Sequence, residues 1–119
     1  MLIYVFRKPK SPVICDFSGH VIAAKSENSF VKSLNDIRLD PLKSYNLVDS
    51  TAEGWVFMPE HMMVSPITFK KQWSKKEIIA IYNSRINSLP DDAQYSEKSL
   101  SSKRFERVFG DIVELLLKK

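Results

Sequence analysis

The chain has 119 residues, 44% of them hydrophobic and 27% charged, with one cysteine, three glycines and a formal net charge of +4. That length suits one domain, residues 1–119, able to bury roughly two-thirds of its unfolded surface, and the composition excludes disorder of the whole chain. A lone Cys15 excludes an intrachain disulfide and any Cys-x-x-Cys pair for zinc or redox work.

The charge is unevenly placed. Residues 1–65 carry seven Lys/Arg and seven Asp/Glu, residues 66–88 five and one, residues 89–94 none and two, and residues 95–119 six and four. The surplus belongs to the second half, as a solvated helical surface or as a face for a polyanion. At the N-terminus apolar residues precede Arg7 and Lys8, the reverse of a secretory signal, and the run is too short to span a bilayer. The expected compartment is the cytoplasm, with no membrane partner.

In chain order, Leu2 to Phe6 is a short apolar run rich in β-formers, expected as a buried strand. Val13 to Phe17 and His20 to Ala24 flank Ser18-Gly19, a two-residue hairpin loop. That loop pairs Phe17 with His20 and Cys15 with Ile22. Val13, Cys15, Phe17, His20, Ile22 and Ala24 then share one face, and Ile14, Asp16, Val21, Ala23 and Lys25 the other. Ser26 to Ile37 reads as a helix, with Phe30, Val31, Leu34 and Ile37 at helical spacing and Ser26 or Asn28 as cap.

A second β region follows. Lys43 to Val48 leads into the loop Asp49 to Gly54, Trp55 to Met58 returns, Pro59 breaks the strand, and Met62 to Val64 is a further short one. Ser74 and Glu77 form a capping box, so a helix begins at Lys75 and carries Ile78, Ile79, Tyr82 and Ile86 as one apolar stripe. Residues 88–94 are a turn-rich connector. Ser102 is expected to cap a last helix with the stripe Phe105, Val108, Phe109, Ile112, Val113, Leu116 and Leu117. Gly110 within it signals close packing against a neighbour. With its strands early and in hairpins and its strong helices late, the chain is expected to be α+β: a mostly antiparallel sheet with one intervening helix, and two C-terminal helices packed on one face.

Catalytic motifs are absent. Gly19, Gly54 and Gly110 are too scattered for a Walker loop or a dinucleotide fingerprint, and there is no His-x-x-x-His or Gly-x-Ser-x-Gly. No cofactor and no catalytic residue is assigned. Met58, Met62 and Met63 around His61 are soft ligands for a thiophilic metal, but they lack a fixed ligand spacing and read as core fillers.

Three functions remain, in this order. The first is a cytoplasmic interaction module presenting an apolar helix face or a sheet edge to a protein partner or to a second copy. The second is a nucleic-acid-binding module within residues 68–85, where Phe69, Lys70, Lys71, Trp73, Lys75, Lys76 and Arg85 offer cations for phosphate and an aromatic platform for bases. The more conservative reading of Trp73 is a staple packed over the helix start. The third is a small enzyme using Cys15 with His20, or His61.

Overall fold

The structure, a computed structural model, describes residues 2–67, 72–87, 94–96, 98 and 102–117. Six strands form one sheet: β1 (Ile3–Tyr4), β2 (Val13–Phe17), β3 (His20–Ala24), β4 (Tyr45–Asp49), β5 (Gly54–Met58) and β6 (Met63–Pro66). Their order across the sheet is β1-β6-β5-β4-β2-β3. All neighbours are antiparallel except β1 with β6. Three α-helices lie among the described residues: α1 (Glu27–Ser33), α2 (Lys75–Asn83) and α3 (Phe105–Leu117). The fold is α+β, with α2 and α3 together near the C-terminus.

The first hairpin has the register its turn dictates. Ser18 and Gly19 both take positive φ, 55° and 104°, as a two-residue turn between right-twisted strands requires, and Phe17 pairs with His20 and Cys15 with Ile22. The two faces then go to two cores. Val13, Cys15, Phe17 and Ala24 join Phe30 of α1 and Leu47, Trp55, Phe57 and Val64. Here the rings of Phe30 and Phe57 meet edge-on at 5.2 Å, the arrangement their quadrupoles favour. Ile14, Val21, Ala23 and Val48 on the other face pack under Ile78, Ile79 and Tyr82 of α2 and Val108, Phe109, Ile112, Val113 and Leu116 of α3.

Helix boundaries follow their caps. Ser26 caps α1 through Ser29, and the helix is shorter than its apolar spacing suggests, tightening into a 3-10 turn over Leu34–Asp36. Ser74 and Glu77 close the capping box of α2, the Glu77 N–H donating to Ser74 Oγ at 3.2 Å and the Ser74 N–H to Glu77 Oε1 at 3.0 Å. Trp73 before it donates its N–H to the Ala52 carbonyl at 2.7 Å, tying the helix start to the β4–β5 loop.

Four expectations are corrected. The apolar run at the N-terminus is an edge strand of two residues, so Ile3 and Phe6 are exposed rather than buried. Ile86 is not part of the α2 stripe. The helix ends at Asn83, Ser84 bonds back to the Ala80 carbonyl, and the Ile86 N–H turns to the Gly19 carbonyl at 2.8 Å. The last helix starts at Phe105, three residues beyond Ser102. Gly110 marks no close contact, since a Cβ built there meets nothing within 4 Å.

Candidate interaction surface

The described residues singled out for nucleic acid differ in exposure. Arg85 is buried, its guanidinium 3.8 Å from the Tyr82 ring centre and bonded to the Tyr82 carbonyl at 2.7 Å. Trp73 is partly buried against the α2–α3 core, as a staple would be. Lys75 donates to the Lys103 carbonyl at 2.7 Å, and Lys76 is exposed. Phe69, Lys70 and Lys71 lie outside the described residues. The Lys75 contact brings in cations from a distant segment, Lys103, Arg104 and Arg107. Two of these are already engaged, because Lys103 Nζ and Arg107 Nε reach the two oxygens of Asp111 at 3.1 and 3.2 Å. The Tyr95 hydroxyl, then Lys103, hold the Asp111 carboxyl below its usual range.

Cys15 is sealed inside the aromatic core, and burial, then the nearby Asp16 carboxylate, pushes its thiol well above the ordinary range. A nucleophilic cysteine needs the opposite shift. His20 on β3 and His61 beside β5 lie on opposite sides of the sheet, with β4 and β2 between them. Among the described residues no three His, Cys, Asp or Glu side chains gather as a metal site, and no helix is long and apolar enough to cross a membrane.

A buried polar cluster organises the β4–β5 loop. Asp49, 1% exposed, accepts from Thr51 N at 2.9 Å, Thr51 Oγ1 at 2.6 Å and Glu53 N at 3.2 Å on Oδ1. Its Oδ2 accepts from Trp55 Nε1 at 3.0 Å and Lys10 N at 3.2 Å. Glu53 is gripped by both guanidinium nitrogens of Arg7, which also lies 4.9 Å from the Trp55 ring centre. Each oxygen of Asp49 is engaged and the Trp55 ring is closed off, so the cluster anchors the loop and leaves little room for a ligand.

The unusual surface lies at the other half of the sheet. Val48 of β4 points into the α2–α3 core, so Asn46, two residues earlier, shares its face. Asn46 pairs with Val56, Val56 with Ser65, Met58 with Met63, and Met63 with Ile3. The same face therefore carries Ile3, Met63 and Met58 in one row across β1, β6 and β5, with Ser65 and Val56 in the next. α3 packs over β3, at the far side of the sheet, and neither core cluster includes these residues. Ile3 is 55% exposed, and Val56, Met58 and Met63 are half-buried. A solvated sheet face ordinarily alternates to polar residues, whereas here the row Ile3, Met63 and Met58 is apolar throughout and Ser65 and Asn46 are the polar residues beside it.

Two further features lie past the ends of these strands. Phe6, 92% exposed, sits just past β1 with φ at 68°, a backbone conformation unfavourable for a bulky side chain. Beyond Met58 a shallow groove of about 300 Å³ is lined by Pro41, the exposed Leu42, Glu60 and His61. The sequence hid this face because residues 55–58 are apolar at every position. Nothing in that run tells Trp55 and Phe57, which go inward, from Val56 and Met58, which do not. The available signal was the run itself, since a strand apolar on both faces needs a cover on each.

No protein-family model, no curated protein and no solved structure matches the chain.

Proposed function

We propose that the chain is a small interaction module that receives an amphipathic helix of a partner protein on the open half of its sheet. The observation that supports this most directly is the apolar row Ile3–Met63–Met58 on a face that, among the described residues, lies outside the α2–α3 core. Apolar patches of this kind mark docking sites, and methionine adapts its shape to a partner. The occupant follows from the neighbouring strands, where α2 and α3 already form a helical layer on the same face. Strands β5, β6 and β1 span about 10 Å between their outer members. That is close to the diameter of one helix, about 10–12 Å, so one further helix would complete the layer.

The test is selection of amphipathic-helix peptides, apolar at i, i+3, i+4 and i+7, from a displayed library against the full chain. Affinity of an enriched peptide is then measured by fluorescence anisotropy. Binding should weaken by about tenfold or more in Ile3→Asp and Met63→Asp, as expected for central apolar contacts. Failure of the library to yield a helical binder, or binding indifferent to both substitutions, overturns the proposal. A homodimer that loses its stability in the same variants would replace the helix by a second copy.

The Lys75–Lys103 contact favours a second reading, a polyanion face. It gathers Lys75, Lys76, Lys103, Arg104 and Arg107 from two segments, against Glu77, Glu106 and the Asp111 carboxylate that Lys103 and Arg107 already engage. Cations so clustered bind phosphate backbones by releasing counterions. Anisotropy of labelled single- and double-stranded DNA and RNA at two salt concentrations tests it. Salt-sensitive binding that disappears in Lys76→Glu with Arg104→Glu supports this reading, and absence of binding at low salt removes it.

A further inference from the structure

At the opposite edge of the sheet, a side chain already pairs with β3 as a neighbouring strand would. Asn87 turns its carboxamide onto Val21, with Oδ1 accepting from the Val21 N–H at 3.0 Å and Nδ2 donating to the Val21 carbonyl at 2.9 Å. These are the two bonds that an adjacent peptide unit makes in a sheet. Val21 therefore directs both backbone polar groups away from β2. The two-residue period of a strand places the N–H and C=O of Ala23 on that same edge.

Alongside Val21 and Ala23 a groove of about 270 Å³ follows the edge, its walls formed by Ile22 and Ile37 on one face of the sheet and Leu116 and Leu117 on the other. The 3-10 turn after α1 stands over one side and the last turn of α3 over the other, and Leu117 is 40% exposed. Between these two layers lies the position of a seventh strand.

We propose that the β3 edge at Ala23 takes an extended segment of a partner protein by strand addition, with Asn87 setting where that strand must stop. The Ala23 N–H and C=O pair with the incoming backbone. Alternate side chains of the segment seat against Ile22 and Ile37 on one face and against Leu116 and Leu117 on the other, the usual division of affinity and specificity in this mode. Asn87 occupies the polar groups of Val21, so a docking strand cannot slide along the edge, and open-ended pairing between copies is blocked at that point. This surface shares no residue with the helix-docking face at β1, β5 and β6.

A random linear-peptide phage library panned on the full chain supplies the probe, and fluorescence anisotropy of an enriched peptide supplies the readout. Backbone N-methylation along that peptide should weaken binding by about tenfold or more at the one residue whose N–H donates to the Ala23 carbonyl and leave it little changed at the residues on either side, because neighbouring amides point away from β3. Ala23→Pro removes the outward N–H and leaves the bonds to β2, so it should weaken binding similarly. Ile3→Asp should leave it unchanged. An N-methyl profile with no such single sensitive residue, or a library that yields no binder, overturns the proposal. If Ala23→Pro does not fold, the N-methyl profile on the unaltered protein decides alone.

Discussion

Replacing the Asp49 carboxylate by its isosteric amide should destabilise the protein almost as much as deleting the side chain. Asp49 Oδ2 faces two donors, Trp55 Nε1 and Lys10 N, and Oδ1 faces Thr51 N, Thr51 Oγ1 and Glu53 N. In Asp49→Asn one oxygen becomes an NH₂ group. Whichever way the amide turns, that NH₂ meets N–H donors, and either the Trp55 and Lys10 pair or the Thr51 and Glu53 pair loses its acceptor. A buried donor left unsatisfied costs about 1–3 kcal/mol, and the partial exposure of Lys10 and Thr51 softens their share. The expected loss is about 2–4 kcal/mol for Asn and about 3–5 kcal/mol for Ala, against total stabilities of about 5–15 kcal/mol. Urea unfolding followed by tryptophan fluorescence measures it, because Trp55 is itself bonded to Asp49, and midpoints are comparable where the slope m is unchanged. An Asn variant within about 0.5 kcal/mol of the parent protein would show that shape, not donor matching, holds the loop, and would refute this reasoning.

Three further outcomes are expected. Gly110→Ala should raise stability by about 0.5–1 kcal/mol, and the melting temperature by about 2–5 °C in calorimetry, since the site is helical and open; a loss of stability would mean that α3 is closely packed there. Cys15 should react with a thiol reagent only as fast as the chain unfolds, burial having raised its thiol, and rapid labelling of the folded protein near neutral pH would reopen the enzymatic reading. Glu27, lowered chiefly by the Tyr4 hydroxyl and then by the Leu2 N–H, and Asp111, lowered chiefly by the Tyr95 hydroxyl, should steepen acid unfolding. Their folded pKa values lie below the ordinary 4.5 and 3.8, so their stabilisation is whole above those pH values and is lost as pH falls through the lowered ones. Glu27→Gln and Asp111→Asn should each flatten the acid limb of stability against pH, and unchanged acid limbs in both would contradict the assignment.

Local chemistry was legible in the sequence where one short-range rule sufficed. Ser18-Gly19 fixed the register of β2 and β3, Ser74 with Glu77 placed the start of α2, and the stripe from Val108 to Leu116 identified the buried face of α3. Long-range pairing was not legible. β1 joins β6 in parallel across some sixty residues, with Ile3 opposite Met63, and no turn signal announces such a contact. Ile86 keeps the helical spacing of Ile78 and Tyr82, yet the chain leaves the helix to meet Gly19 and Val21, a tertiary preference that overrides periodicity. The open face was hidden for a third reason. Met58 and Met63 look like core residues because methionine fills cores, and only the extent of the α2–α3 layer shows that nothing from that layer covers them.

The methionine methyl spectrum tests the helix-docking proposal most directly. In protein labelled with ¹³C at the methionine methyl groups, Met58 and Met63 report the open face, while Met62 packs against the opposite core and serves as an internal control. On titration with a selected helical peptide, the Met58 and Met63 resonances should shift together and saturably while Met62 stays in place. A peptide that binds without moving Met58 and Met63, or that moves Met62 as much, would place the partner elsewhere and contradict the account.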